Sequence, residues 1–215
     1  MKENNWFDPF YIQSHLNEEE SNIQKNVRDF CNNELKPTVV ERNRKNEFDK
    51  DLYPKFGSLG VLGQTVKTHG GSGTSNLAYG LVAYEFEKID SSYRSSISVQ
   101  SSLVIHPINE FGSQEQKDKY LPPLIKGEKI GCFGLTESEA GSDPTSMKTS
   151  FKKTKDGYII NGSKNWITNA PIADIFIIWA IEENKDHESI KGFIIEKTTA
   201  GLNTSKIENK TSLKI

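Results

Sequence analysis

Residues 149–163 read TSFKKTKDGYIINGS, and the organisation of the chain turns on them. Asp156-Gly157 stands between two extended-looking arms, the strongest short-range hairpin signal in the sequence, because both residues tolerate the positive φ of a tight turn. Other strand-like runs lie close by. Residues 130–135 are short, apolar and aromatic, and residues 174–181 and 192–196 supply two more candidates. Upstream of Gly127 the period is different.

There the apolar positions follow helical spacing. From Leu16 they fall at Ile23, Val27, Phe30 and Leu35, and Pro37 follows the run. A shorter element from about Asp49 carries Leu52, Phe56 and Leu59, with Gly60 placed to end it. Residues 74–90, TSNLAYGLVAYEFEKID, are apolar on more than one face, as in a helix buried among others. Ser113 with Gln116 makes a capping box for a helix carrying Tyr120 and Leu121, which Pro122 and Pro123 then limit.

Helices first and antiparallel-looking strands afterwards give an α+β fold. The expected division is an all-helical N-terminal domain over residues 1–128 and an antiparallel, β-barrel-like middle domain over residues 129–215. After Gly201, LNTSKIENKTSLKI starts another strand-like pattern and stops. A sheet with unpaired edges is expected to need further chain or a partner.

Composition narrows the class. Aromatics at 10% give the chain material for a core, although hydrophobic residues reach only 34%. The 27 basic and 29 acidic residues nearly cancel to a net charge of -2, so there is no electrostatic case for nucleic acid or a membrane surface. Cys31 on a helix face and Cys132 beside a strand read as two reduced, buried thiols. The opening MKENNWFDPF lacks the apolar core of a secretory signal, and the longest apolar run, residues 175–181, is too short to span a bilayer. A cytoplasmic protein is expected.

Three stretches can carry chemistry. CFGLTESEAGSDPTSM (132–147) brings Gly134, Thr136, Gly141 and Ser142, whose hydroxyls and backbone N–H groups suit a planar polar ring or a phosphate. An ordinary Ser/Asp/Gly turn accounts for the same residues. In NGSKNWITNA (161–170), Trp166 and Thr168 would share one side of a strand and offer a stacking face beside a hydroxyl, or else form a core Trp with a solvent-facing Thr. In SSYRSSISVQSS (91–102), Arg94 is a bidentate receptor for a carboxylate or phosphate, or a surface Arg beside Asp90. His106, after Leu103, Val104 and Ile105, reads as a packed core histidine.

In their order and spacing, YRSSISVQSSLVIHP (93–107), YLPPLIKGEKIGCFGLTESEAGSDPTSM (120–147) and NGSKNWITNAPIADIFIIWA (161–180) resemble the acyl-CoA dehydrogenase family, and within it the glutaryl-CoA dehydrogenases of lysine and tryptophan degradation. The likeness runs from FDPF (7–10) past Gly201. It implies that the FGLTE loop and the WIT segment form a wall for the isoalloxazine of FAD. Phe133, Gly134, Leu135, Thr136 and Ser142 would contact the flavin, with Ser142 also near its phosphates or the CoA portion of the substrate. Trp166 and Ile167 would pack on the flavin, and the Thr168 hydroxyl would bond near N5. Arg94 and Ser95 would meet the distal carboxylate of glutaryl-CoA, with Glu87 upstream on the same helix at the polar end of the pocket, and Arg94 buried. The loop carboxylates are expected to fix the turn.

The resemblance further implies an acyl-CoA substrate, an electron-transfer flavoprotein as electron acceptor and a homotetramer when complete. Two positions depart from the family pattern: Ser138 where Pro is usual after GLTE, and Ser92 where Gly is more usual. The family's C-terminal helical bundle, which holds the catalytic glutamate, has no counterpart in these residues, so no catalytic residue is expected here. A dehydrogenase for a short unsubstituted acyl-CoA and a non-catalytic fragment are the alternative readings.

Overall fold

The computed structural model describes residues 8–215; the opening residues 1–7, read above as free of a signal sequence, lie outside them. The first half is helical. Helix α1 (Glu18–Phe30) starts at a capping box in which the Asn17 side chain accepts from the Glu20 N–H and the Glu20 carboxylate accepts from the Asn17 N–H. It runs on through a π-wound turn, Cys31–Leu35. Helices α2 (Val39–Lys45) and α3 (Leu52–Ser58) follow. Gly60, at φ 76°, closes α3: Val61 N–H donates to Phe56 O and Gly60 N–H to Gly57 O, the paired bonds of a Schellman ending.

Helix α4 (Asn76–Glu87) packs on α1 and buries Ala78, Leu81, Val82 and Phe86. Between the two helices the Glu85 carboxylate, 2% exposed, takes hydrogen bonds from Gln24, Arg28 and Lys88. Helix α5 (Ser91–Ser98), capped by Asp90, continues through a π-wound segment, Val99–Ile105, into α6 (His106–Phe111). His106 is exposed, which corrects the core-histidine expectation: it follows the buried Val104 and Ile105 on the helix and turns away from their face. The capping box of Ser113 and Gln116 opens α7 (Gln114–Ile125) as expected. Pro122 and Pro123 lie inside that helix rather than at its end; the helix stops two residues later at Ile125, and Gly127 just beyond takes φ 72°.

The second half forms a five-stranded sheet among the described residues: β1 (Gly131–Gly134), β2 (Ser150–Thr154), β3 (Gly157–Asn161), β4 (Ile175–Glu182) and β5 (Lys191–Glu196). The hairpin β2–β3 is antiparallel, but its two-residue turn is Lys155-Asp156, with Gly157 at φ 141° opening β3. Strands β4 and β5 are antiparallel too. The sheet as a whole is mixed, correcting the antiparallel expectation, because β1 pairs with β4 in parallel and so does β2. Long connections separate both pairs, and only such crossovers can return a strand in parallel. No pairing among the described residues closes the sheet into a barrel, and residues 197–215 contain no helix or strand.

Strand β4 divides one edge between two partners. Its residues Ile175 to Ile178 take β1, and Ile181 and Glu182 take β2. Residues 135–149 leave the sheet in the gap between them. One face of the sheet, carrying Phe133, Ile175, Ile177, Trp179 and Ile194, joins the main core of the helices. The other, carrying Cys132, Phe176, Ile178 and Ile195, forms a second small core under Ile167, Ala170 and Leu202. Gln100 fastens helices to sheet: fully buried, it donates to Leu124 O and Lys129 O and accepts from Gly131 N–H.

Candidate functional site

The site is built where the segments after β1 and β3 meet. The Asn165 N–H donates to Thr136 O at 2.9 Å, and its side-chain Nδ2 donates to Ser138 Oγ at 3.3 Å. Its Oδ1 accepts from the neighbouring Trp166 N–H at 2.9 Å, so Asn165 joins the two segments through its N–H and Nδ2 while its Oδ1 holds the start of its own turn. Leu135, Thr136, Trp166, Ile167 and Thr168 are thereby brought together.

The WIT segment is a turn, not a strand. Trp166 and Asn169 have φ of 60° and 70°, and two left-handed residues within four break the extended run that the alternation argument assumed. The outcome for Trp166 is large exposure, 64% of the residue. Thr136 and Thr168 are half-buried. Ile167 points the other way, into the second core. Asn169, fully buried, donates from Nδ2 to Gly131 O and returns the segment to β1.

On β1, Phe133 is half-buried, with its ring 6.0 Å from that of Trp179 in an edge-on contact facing the helices. A Cβ at Gly134 would stand 2.5 Å from Ile178 Cδ1, the free end of that side chain, which would have to swing aside. Ser142 is exposed, two residues past the turn in which Glu137 and Ala140 exchange backbone hydrogen bonds, and no hydrogen bond joins it to the Thr136–Trp166 junction.

Loop carboxylates do fix the turn. Asp143 caps the short turn Pro144–Ser146 through the Thr145 N–H and the Ser146 hydroxyl. Glu137 does more. Its Oε1 accepts from Lys164 Nζ at 2.8 Å and the Thr149 N–H at 2.9 Å, and its Oε2 accepts from the Lys148 N–H at 2.7 Å. Burial would raise its pKa, but the Lys164 ammonium and the two amides outweigh burial and hold the carboxyl at about 2. Lys164 also donates to Leu135 O at 2.9 Å, and burial lowers its pKa. Sequence reasoning assigned no role to Lys164 or Asn165. The one available signal was a lone Lys in an otherwise neutral polar and aromatic run, 27 residues from an acid in a Gly-rich loop.

The helical corner holds the remaining predicted residues. Glu87 ends α4 and Arg94 lies on α5, so they are on different helices, separated by the turn that Asp90 caps. The turn folds them together: Arg94 Nε donates to Glu87 Oε2 at 2.8 Å, and Ser91 Oγ to Glu87 Oε1 at 2.5 Å. Arg94 is not buried; its side chain is 36% exposed, because α5 presents it at the mouth of the corner, while Ser95 is buried. No hydrogen bond or ion pair links this corner to the Thr136–Trp166 junction.

Comparison with known proteins agrees with both halves. Residues 17–128 match the model of the acyl-CoA dehydrogenase N-terminal domain, and residues 132–215 match that of the middle domain. The chain belongs to the acyl-CoA dehydrogenase family. A relative from Clostridium acetobutylicum, a short-chain-specific acyl-CoA dehydrogenase, is 39% identical over 201 residues, covering 93% of this chain and 53% of its own. A glutaryl-CoA dehydrogenase from Mycobacterium smegmatis, solved in complex with FADH2, superposes with TM-score 0.91 at 39% identity, over 95% of this chain and 52% of that one. The butyryl-CoA dehydrogenase of Megasphaera elsdenii superposes with TM-score 0.85 at 38% identity, over 93% and 54%. The chain therefore spans about half the length of the acyl-CoA dehydrogenases it matches. Among its described residues, no helix is long and apolar enough to cross a membrane.

Proposed function

We propose that this chain supplies the flavin-facing wall and the acyl-pocket corner of an FAD-dependent acyl-CoA dehydrogenase whose substrate is glutaryl-CoA. The observation that carries the flavin reading is the junction of Thr136 with Asn165, which joins the segment of the exposed Trp166 and half-buried Thr168 to the half-buried Thr136. A planar ring of mixed polarity fits those groups: Trp166 offers the stacking face and Thr136 and Thr168 the hydrogen bonds. Gly134 and Leu135 would line the same wall, with Ile167 held behind it, and Phe133, whose ring faces the helices, would contribute its backbone. Ser142, in an exposed turn, would serve the phosphates or the CoA portion. FAD, when bound, accepts the substrate's β-hydride; the chain's part is to hold the ring and exclude water from one face. A carboxylate in the family's C-terminal helical half would remove the α-proton, so we assign no general base to these 215 residues.

Arg94 carries the choice of substrate. A guanidinium at the mouth of the α4–α5 corner, flanked by Ser95, would receive the distal carboxylate of a dicarboxylic acyl chain, and Glu87 would orient it. Decarboxylation to crotonyl-CoA, transfer of electrons to an electron-transfer flavoprotein and tetramer formation belong to the same reading. The ion pair with Glu87 favours a second reading as well: an Arg94 already neutralised would be structural, and the substrate a short unsubstituted acyl-CoA. Turnover of glutaryl-CoA against butyryl-CoA decides between them, in a protein extended by a family C-terminal half. A wild-type preference for glutaryl-CoA that Arg94→Met abolishes supports the first reading; equal loss on both substrates, or none, supports the second.

A further inference from the structure

The segment that carries Trp166 and Thr168 is short, exposed and bent through two left-handed residues, conformations that cost about 1–3 kcal/mol each for non-glycine residues and persist only when the surroundings dictate them. What dictates them is buried at its two ends. At the start, Lys164 turns inward, and its ammonium reaches Glu137 Oε1, Leu135 O and, at 3.9 Å, Met147 Sδ. At the finish, the side chain of Asn169 is fastened to Gly131 O. Glu137 in turn takes the amides of Lys148 and Thr149, which lead into β2. One ion pair thus links the exits of β1 and β3 with the entry to β2.

Such a pair is a poor choice for stability alone. Desolvating both charges consumes most of their attraction, and well-packed apolar residues of similar volume often serve as well or better. What it supplies is directional: a carboxylate with its amide partners and an ammonium with its carbonyl fix the loop that leaves β1 against the adjoining open ends of the β2–β3 hairpin.

We infer that Glu137 and Lys164 are positioning residues for the flavin wall, holding the Trp166–Thr168 turn against Leu135 and Thr136 in the geometry that receives the ring. The inference rests on the flavin reading above, but its mechanical half concerns this chain alone.

Amide hydrogen exchange on the full chain tests it, for wild type and for Glu137→Gln, Lys164→Met and Lys164→Arg, alongside FAD affinity measured by flavin fluorescence. Glu137→Gln keeps the shape of the side chain and guards against simple misfolding. Exchange at residues 165–168 is expected to quicken by roughly tenfold or more in Glu137→Gln and Lys164→Met, while the β4–β5 ladder amides stay within about twofold. Lys164→Arg, which keeps the cation, is expected to return most of the protection. FAD affinity, where wild type binds, should fall by at least about tenfold with the loosened turn. Unchanged exchange at 165–168, or equal loosening of the β4–β5 ladder, overturns the positioning role. Protein extended by a family C-terminal half that binds no FAD, while the exchange responds as expected, overturns the flavin reading and leaves the clamp standing.

Discussion

Lys164 Nζ lies 2.8 Å from Oε1 of Glu137, and each side chain is 8% exposed. This contact ties the loop after β1 to the loop after β3, and it sets the first prediction. Lys164→Met strands a buried carboxylate, and removing one partner of such a pair costs about 3–5 kcal/mol. Glu137→Gln should cost less, because the amide oxygen still accepts two of the three bonds. Urea unfolding of the two variants measures the difference; a Lys164→Met loss below that of Glu137→Gln would show that the pair is not the anchor described here.

The same contact makes stability depend on acid. The folded pKa of Glu137, about 2, lies below its ordinary value of 4.5. Its contribution is therefore complete above the ordinary value and is lost as pH falls from there through about 2. The full loss is on the order of 3 kcal/mol. Urea midpoints for wild type should drop between neutral pH and pH about 3, and the drop should be visibly shallower in Glu137→Gln. Parallel profiles for the two proteins would assign the acid sensitivity elsewhere.

Arg94→Met should leave the isolated chain almost as stable as wild type. Its pair with Glu87 is 36% and 45% exposed, and exposed pairs contribute about 0–1 kcal/mol. In an enzyme extended by a C-terminal half, the same variant should lower glutaryl-CoA turnover by about a hundredfold or more and spare butyryl-CoA, since an unpaired buried carboxylate costs several kcal/mol.

Gln100→Leu should be far more damaging than its place in a serine-rich helix suggests. It takes the Gln100 amide away from Gly131 N–H, Lys129 O and Leu124 O at once, in a fully buried position, and leaves Leu124 O with the Gly127 N–H alone. A loss of about 3 kcal/mol or more is expected from unsatisfied groups of this kind. Calorimetry should show a lower melting temperature; a shift within a degree or two would mean that water or the backbone takes over the three partners.

Neither cysteine should react in the folded protein. Both are free and buried; burial pushes the Cys31 thiol up to about 12 and raises Cys132 as well. A thiol reagent should titrate both only after unfolding. Labelling of either at neutral pH in native protein would place it near a surface that the packing does not show.

The helices and strands were legible where the signal was local. Asn17 with Glu20, a pair not anticipated, and Ser113 with Gln116, which was, both cap through residues three apart. The hairpin was legible too, although its turn moved one residue to Lys155-Asp156. Parallel pairing was not, because which edge of β4 receives β1 and β2 is a property of long crossovers, invisible to a short window. The WIT segment looked extended because Trp, Ile and Thr favour strands, and tertiary anchors at Lys164 and Asn169 overrode that preference. Thr136 and the Trp166–Thr168 stretch were found as candidate chemistry, whereas the groups that hold them, Glu137, Lys164 and Asn165, communicate across 27 residues or more.

The central claim is that Trp166 and its neighbours face the flavin, and Trp166 itself is the probe. In a protein extended by a C-terminal half whose own tryptophans are replaced by Phe, with Trp6→Phe and Trp179→Phe leaving one indole, FAD should quench the Trp166 emission in proportion to flavin bound. FAD retained through gel filtration with the Trp166 emission unchanged would contradict the account, because the flavin would then lie against some other wall.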